Sequence, residues 1–209
     1  MNRDELGRRL ARLATNAVVG RPWTWRIFRP LIRRQFDTLA PRWDEMRVPN
    51  HLASYERALD AVTVPPARAL DVGTGTGDGA AAIAYRFPRA EVIGVDLAES
   101  MLERARRKLP EELRGRVRFE RADASALPFA DESFDLVALA NMIPFFDEIT
   151  RLVAPGGSAL FAFSGGATTP IYVPPERLRS ELGRRGFTEF ADFGAGSGTA
   201  LLARKAQRS

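Results

Sequence analysis

The stretch ARALDVGTGTGDGA, residues 67–80, joins a short apolar run to four glycines at alternate positions, Gly73, Gly75, Gly77 and Gly79. The run 67–73, ending at glycines, reads as a buried strand. Residues 78–87 are rich in alanine and stop at Pro88, which predicts a helix. Glycine loses more conformational freedom on folding than any other residue, so four of them between strand and helix must meet a backbone need. A turn from strand to helix that a ligand approaches closely is such a need, and it opens a βαβ unit.

Outward from this turn the pattern repeats. Residues 90–96, 117–123, 134–140 and 158–164 are further apolar runs of strand length, and 98–109 carries Met101, Leu102, Ala105 and Leu109 on one helical face. Strands alternating with helices imply a parallel, doubly wound sheet of the Rossmann-like α/β class, with right-handed crossovers placing helices on both faces. A helix over 175–185 is followed by two more strands, 187–194 and 198–205, joined by a glycine-rich turn. Before the first strand, residues 4–18 have helical apolar spacing with Arg8, Arg9 and Arg12 opposite. A basic, aromatic stretch follows with Trp23, Trp25, Phe28, Leu31, Ile32 and Phe36, and 50–62 reads as a helix ended by Pro65-Pro66. The expected division is an N-terminal helical extension or lid, 1–64, and a ligand-binding domain, 65–209.

Composition narrows the chemistry. There is no cysteine and a single histidine, His51, among 209 residues. Disulfides, thiolate nucleophiles and thiolate metal sites are excluded, a histidine-built metal centre is disfavoured, and no metal is expected. No run approaches the roughly 18 apolar residues that cross a bilayer, and no secretory signal is legible at the N-terminus, so a cytoplasmic enzyme is expected. Residues 1–50 hold 11 Arg against 5 acids, a surplus of 6 in a chain of net charge +5. The basicity is therefore a property of the arm, and peripheral membrane contact through residues 1–34 stays open.

Two ligands suit a glycine-rich turn, a dinucleotide and S-adenosylmethionine. Gly75, Gly77 and Ala80 satisfy the nicotinamide spacing G-x-G-x-x-A, and Asp96, 19 residues after Gly77, is placed to take ribose hydroxyls in either case. Asp71, just before the first glycine, separates them, because its charge repels a pyrophosphate and attracts an ammonium group. Asp123-Ala124, at the end of the third strand, is placed to accept from an adenine amino group. The loop amides at the helix N-terminus would seat a carboxylate. An amine, a carboxylate, a ribose and an adenine without phosphate describe S-adenosylmethionine.

The runs ALDVGTGTG, VIGVDLAESMLERAR, RADASALPFADESFDLV and RLVAPGG resemble, in order, the motifs of class I S-adenosylmethionine-dependent methyltransferases, in the small-molecule branch that includes the ubiquinone/menaquinone C-methyltransferases. The resemblance covers about residues 67–164. It implies a mostly parallel seven-stranded sheet with an antiparallel last strand. By position it implies that Asp71, Gly73, Thr74, Gly75 and Gly77 hold the methionine end and that Asp96 binds both ribose hydroxyls. Leu97 and Met101 would flank the adenine, Asp123 and Ala124 would meet its amino edge, and Asn141 would lie near the sulfonium and the acceptor. FDTLAPRWDE, 36–45, resembles the segment that closes over the cofactor, with Trp43 where a tyrosine is usual. Asn141 to Gly157 is shorter than in the family, which implies a more open roof over the acceptor.

The expected reaction is methyl transfer to an O, N or C nucleophile of a small hydrophobic or aromatic molecule, releasing S-adenosylhomocysteine. No catalytic dyad stands out, and His51 and Tyr172 are the candidates for a general base or an acceptor contact. Asn141-Met142-Ile143-Pro144 lacks the Pro-Pro-aromatic run of adenine amino-methylating enzymes, and cytosine C5 methylation requires a cysteine, so a nucleic-acid acceptor is disfavoured. An RNA or tRNA methyltransferase using the basic arm, and a noncatalytic cofactor-binding or membrane-associated module, are the alternatives. The oligomeric state is not legible.

Overall fold

The computed structural model describes residues 3–47 and 49–208. Its centre is one seven-stranded sheet, built from β1 (Arg68–Val72), β2 (Glu91–Asp96), β3 (Val117–Arg121), β4 (Phe134–Ala140), β5 (Val153–Phe163), β6 (Phe187–Ala195) and β7 (Gly198–Lys205). The order is β3-β2-β1-β4-β5-β7-β6. Strands β1 to β5 pair in parallel, and β7 runs antiparallel to both β5 and β6. The expected architecture holds, antiparallel last strand included. Strand order reverses between β1 and β4, so a ligand crevice opens outside their carboxyl ends.

Period-two alternation divides the buried side chains between two layers. One face carries Leu70, Val72, Ile93, Val137, Leu139, Phe161 and Leu201. It packs under α1 (Arg3–Gly20), the start of α2 (Trp25–Leu39), α6 (Phe146–Leu152) and α7 (Pro175–Gly183). The other presents smaller residues, Ala69, Ala138, Ala162 and Ala200, to α3 (Ala53–Asp60), α4 (Asp78–Arg86) and α5 (Glu99–Lys108). Alanine on the strands lets these three helices approach closely, with Tyr55, Leu59, Ile83 and Leu102 filling the space between.

The structure differs from the sequence reading in two places. β5 begins at Val153, five residues earlier than expected, and absorbs Pro155-Gly156-Gly157 at an irregular pairing with β4, with Gly156 at φ 74°. Pro-Gly-Gly thus forms a bulged strand entry. The segment after β4, for which the sequence reading gave no element, contains the seven-residue helix α6, too short to show a hydrophobic period in sequence. Arg151 at its end ties the preceding loop down, donating to the carbonyls of Leu127 and Phe129 and pairing with Glu148 and Asp131. No helix of the described residues is long and apolar enough to cross a membrane.

Leu70 is fully buried at the centre of β1. Leu70→Ala is expected to lower stability by about 2–5 kcal/mol through the lost burial and the cavity left behind, read as a lower urea midpoint at unchanged slope.

Candidate functional site

The carboxyl ends of β1, β2 and β3 each finish in or beside an aspartate, and the three carboxylates are treated differently. Asp71 is 1% exposed and faces the α3–α4 layer. It accepts from the Thr74 hydroxyl at 2.6 Å, the Tyr55 hydroxyl at 3.4 Å and the Ala80 amide in the first turn of α4. Burial pushes its pKa up to about 6, against the lowering effect of these donors. A Cβ on Gly79 would stand 2.7 Å from the Asp71 carboxylate, so that glycine exists for the aspartate beside it. Its oxygens thus accept from the loop and from the helices on either side of it.

The loop amides are partly engaged within the protein. The amides of Gly73 and Thr74 both donate to the Val95 carbonyl, that of Gly77 donates to the Thr74 carbonyl, and that of Gly75 donates to Asp96 at 2.9 Å. Gly77, at φ 89°, abuts Phe119 and Ala105, where a Cβ would clash at 2.8 Å and 3.1 Å. Gly75, at φ 55°, has only Trp43 Nε1 at 3.5 Å and the Arg47 guanidinium at 3.8 Å from an added Cβ. That is where the loop backbone lies open.

Asp96 accepts from the amides of Gly75 and Ala98, each at 2.9 Å, and burial raises its pKa against those bonds. The Leu97 amide adds a third backbone contact, which leaves lone-pair capacity on the carboxylate for a hydroxyl. Asp123 turns outward. It caps its own loop through the Ser125 amide and hydroxyl, and it accepts from the Trp25 indole at 2.8 Å and Arg29 at 3.0 Å. Burial works against its charge, but these donors outweigh it and hold the pKa low. Ala124 is buried beside it, and Leu97 packs against the same cluster. Met101 is buried with Ala40 and Ala98 under Phe36 and Trp43, whose rings meet edge to face.

The arm therefore covers the crevice, held by ion pairs that sequence reasoning missed. Asp44 accepts from Thr76 in the glycine loop at 2.6 Å and pairs with Arg47, Arg104 and Lys108. Burial opposes the charge of Asp44, yet the Thr76 and Lys108 bonds bring its pKa to about 2. Asp78, at the start of α4, pairs with Arg47, His51 and Lys108. The signal for this cluster lay in RWDEMR, 42–47, where the acids and Arg47 sit inside the closing segment. Across the switch point, Met142 lies on Gly73, and Asn141, at φ 51°, is bonded to the amide and hydroxyl of Ser164. A mainly apolar cavity of about 270 Å³ opens between the end of β5 at Phe161 and Phe163, the following segment and α7 at Tyr172 and Leu178, and strands β6 and β7 at Phe193 and Leu201. The two candidate catalytic residues are thus in separate places, His51 in the ion-pair cluster and Tyr172 against Phe163 in the cavity wall.

Because the folded-state pKa of Asp71 is raised, the native protein retains a proton that the unfolded chain releases above pH 3.8, so this carboxyl's contribution falls as pH rises to about 6. Asp71→Asn lacks that decline. The stability difference between variant and wild type should move in the variant's favour by on the order of 3 kcal/mol between pH 4 and 7, measured by urea unfolding at both. A difference independent of pH contradicts the buried, protonatable carboxyl.

The methyltransferase-domain family profile matches residues 69–157. The malonyl-[acyl-carrier protein] O-methyltransferase of Halorhodospira halophila is 40% identical over 152 residues, 68% of this chain and 50% of that protein. The demethylmenaquinone methyltransferase of Thermus thermophilus is 44% identical over 138 residues, 58% of this chain and 60% of that one. The chain thus spans between half and three fifths of the length of these relatives. Human N-acetylserotonin methyltransferase, solved in complex with S-adenosylmethionine, shares the fold with a TM-score of 0.61 at 19% identity, over 75% of this chain and 53% of that one. With the carboxylates, the glycine loop and the sheet order described above, these matches make residues 69–157 a methyltransferase domain of the class I S-adenosylmethionine-dependent family.

Proposed function

We propose that the chain transfers a methyl group from S-adenosylmethionine to a small, mainly apolar acceptor, with residues 1–64 acting as the cover of a cofactor-binding domain formed by 65–209. The observation that carries this reading is the donor set at the strand ends. Asp96, with lone-pair capacity left for a hydroxyl, and Asp123, held by contacts from the arm, flank a glycine loop whose backbone is open at Gly75, and a third carboxylate, Asp71, sits buried beneath it. This suits a ligand with ribose hydroxyls and a positive charge and without phosphate.

When bound, S-adenosylmethionine supplies a methyl group on a sulfonium sulfur that is already a good leaving group. The chain's own residues do the rest. Asp96 accepts from the ribose hydroxyls, Leu97 and Met101 flank the adenine, and Asp123 with Ala124 reads its amino edge. For that last contact the Trp25 and Arg29 bonds to Asp123 must give way or be shared. Gly75 lets the cofactor approach the backbone, and Trp43 closes above it. Asn141, fixed by Ser164, would lie near the sulfonium, and the cavity at Phe163 and Tyr172 is the one we assign to the acceptor. Its size and apolar walls suit one or two fused rings or a short acyl chain. Catalysis then rests on alignment of nucleophile, methyl carbon and sulfur in a site emptied of water, without a side-chain base if the nucleophile is acidic. The names of the two relatives, a malonyl-[acyl-carrier protein] O-methyltransferase and a demethylmenaquinone methyltransferase, support an acceptor that carries an acyl chain or a ring system.

Asp96→Ala should weaken S-adenosylhomocysteine binding by about 100-fold, since two hydrogen bonds to a charged acceptor are lost, with calorimetry as the readout and circular dichroism confirming the fold. Unchanged affinity sinks the assignment. Because Asp71 acts through its charge, S-adenosylmethionine affinity should rise as pH increases through about 6 in the wild type and stay flat in Asp71→Asn, again by calorimetry.

A further inference from the structure

The helix that carries Trp25 and Arg29 to Asp123 is apolar on both sides. Its inner side, with Trp25, Phe28, Ile32 and Phe36, packs toward the domain. On the opposite side, Trp23 of the preceding 3-10 turn (Pro22–Thr24), Ile27 and Leu31 are 62%, 66% and 49% exposed. They stand four residues apart, a spacing that advances only about 40° per step and so makes one stripe along the helix. A surface helix normally confines its large apolar residues to the buried face, and a helix that is apolar on both faces is expected to be covered on both. Leu13 of α1, which packs beside α2, is 64% exposed as well.

The charge around the stripe says what covers it. Residues 21–36 contain Arg21, Arg26, Arg29, Arg33 and Arg34 and no acid. Arg29 points inward to Asp123, whereas Arg26, Arg33 and Arg34 on the helix that bears the stripe, and Arg21 just before it, are exposed. Arg34, with Arg33 paired to Asp37 at 3.6 Å, lines a shallow hollow of about 460 Å³ beside Pro30 and Thr38. The rest of the chain after residue 50 carries 20 basic and 21 acidic side chains, so the molecule is a basic arm on a nearly neutral body. A tryptophan and two aliphatic side chains flanked by arginines form the surface that settles at the boundary between anionic headgroups and acyl chains. A protein partner of opposite charge or a second copy of the chain would meet the stripe only by burying the arginines against acids or against each other. A second copy would bring arginine against arginine.

We propose that the outer face of residues 21–34 is a membrane-docking surface that binds an anionic bilayer in its interfacial plane, Trp23, Ile27 and Leu31 entering the acyl boundary and the arginines meeting lipid phosphates. The proposal rests on this surface alone and is independent of the acceptor assigned above. Docking there presents the inner side of α2, and with it the crevice at Asp123, in a fixed orientation to the bilayer.

The test uses the full chain with unilamellar vesicles of phosphatidylcholine, with and without one quarter phosphatidylglycerol, in co-sedimentation. Binding is expected to the anionic vesicles and to fall steeply when salt is raised to about 0.5 M. Trp23→Ser/Ile27→Ser/Leu31→Ser, which leaves the charge unchanged, should weaken it at least ~10-fold. Arg26→Gln/Arg34→Gln should weaken it with a loss of salt dependence. The single variant Trp23→Ser should weaken it in the same direction, and S-adenosylhomocysteine binding should survive in all three. Three results overturn the proposal. One is vesicle binding that is absent, or unchanged in the serine variants. Another is a dimer without lipid that the serine variants dissolve. The third is duplex RNA binding that depends on Arg26 and Arg34 while vesicle binding does not.

Discussion

An aspartate at the carboxyl end of the central strand, sealed from water by the helix that follows it, sets the geometry of everything around the crevice. A carboxylate in that position costs several kcal/mol unless hydrogen bonds surround it. Three separate elements provide them. Tyr55 comes from α3, Thr74 from the glycine loop and the Ala80 amide from the first turn of α4. To bring that turn close enough, position 79 must have no side chain, and to bring α5 and β3 under the loop, position 77 must have none either. The glycine repeat thus records the packing of the loop onto its own foundations as much as the approach of a ligand. At Gly75 the loop backbone stays open, above a carboxyl whose proton is held more tightly than usual.

Much of this was legible in the order of residues. Short runs of strand length, four of them ending in aspartate or glycine, placed all seven strands, and the alanine-rich 78–87 and the periodic 98–109 placed their helices. Asp71, Asp96 and Asp123 were identifiable because each ends or follows a strand at the same edge, where a charge has no reason to stand in a purely structural chain. Three things were not legible. The internal bonding of the loop amides to Val95, Thr74 and Asp96 depends on backbone geometry that glycine leaves unspecified. The helix α6 is two turns long and leaves no period. The ion pairs of Asp44 and Asp78 with Arg47, Arg104 and Lys108 join residues up to 64 apart, and nothing local marks which charge meets which. Asp71 illustrates the limit best, since sequence gave its presence and sign but not that its oxygens are already occupied.

The arm connects these findings. Its inner side, through Trp25 and Arg29, reaches the carboxylate that the adenine edge would use, and its closing segment, through Asp44, Arg47 and Trp43, lies across the glycine loop. Both contacts combine desolvated charge with aromatic surface, so the cover is held firmly where it touches the crevice. Its far side shows the opposite balance, with large apolar groups left in solvent and arginines around them. One helix thus links the nucleoside end of the crevice to the most apolar exposed surface of the molecule.

All three tryptophans of the chain, Trp23, Trp25 and Trp43, belong to this arm, and the sheet and its remaining helices contain none. Their surroundings differ sharply. One indole lies in solvent, one donates a hydrogen bond to Asp123, and one stands over Gly75 beside a guanidinium. Tryptophan emission, excited at wavelengths that tyrosine does not absorb, is therefore a property of the cover. An optical signal from the unaltered chain reports whether that cover is seated on the crevice and what its outer face touches, with the Rossmann-like body silent beneath it.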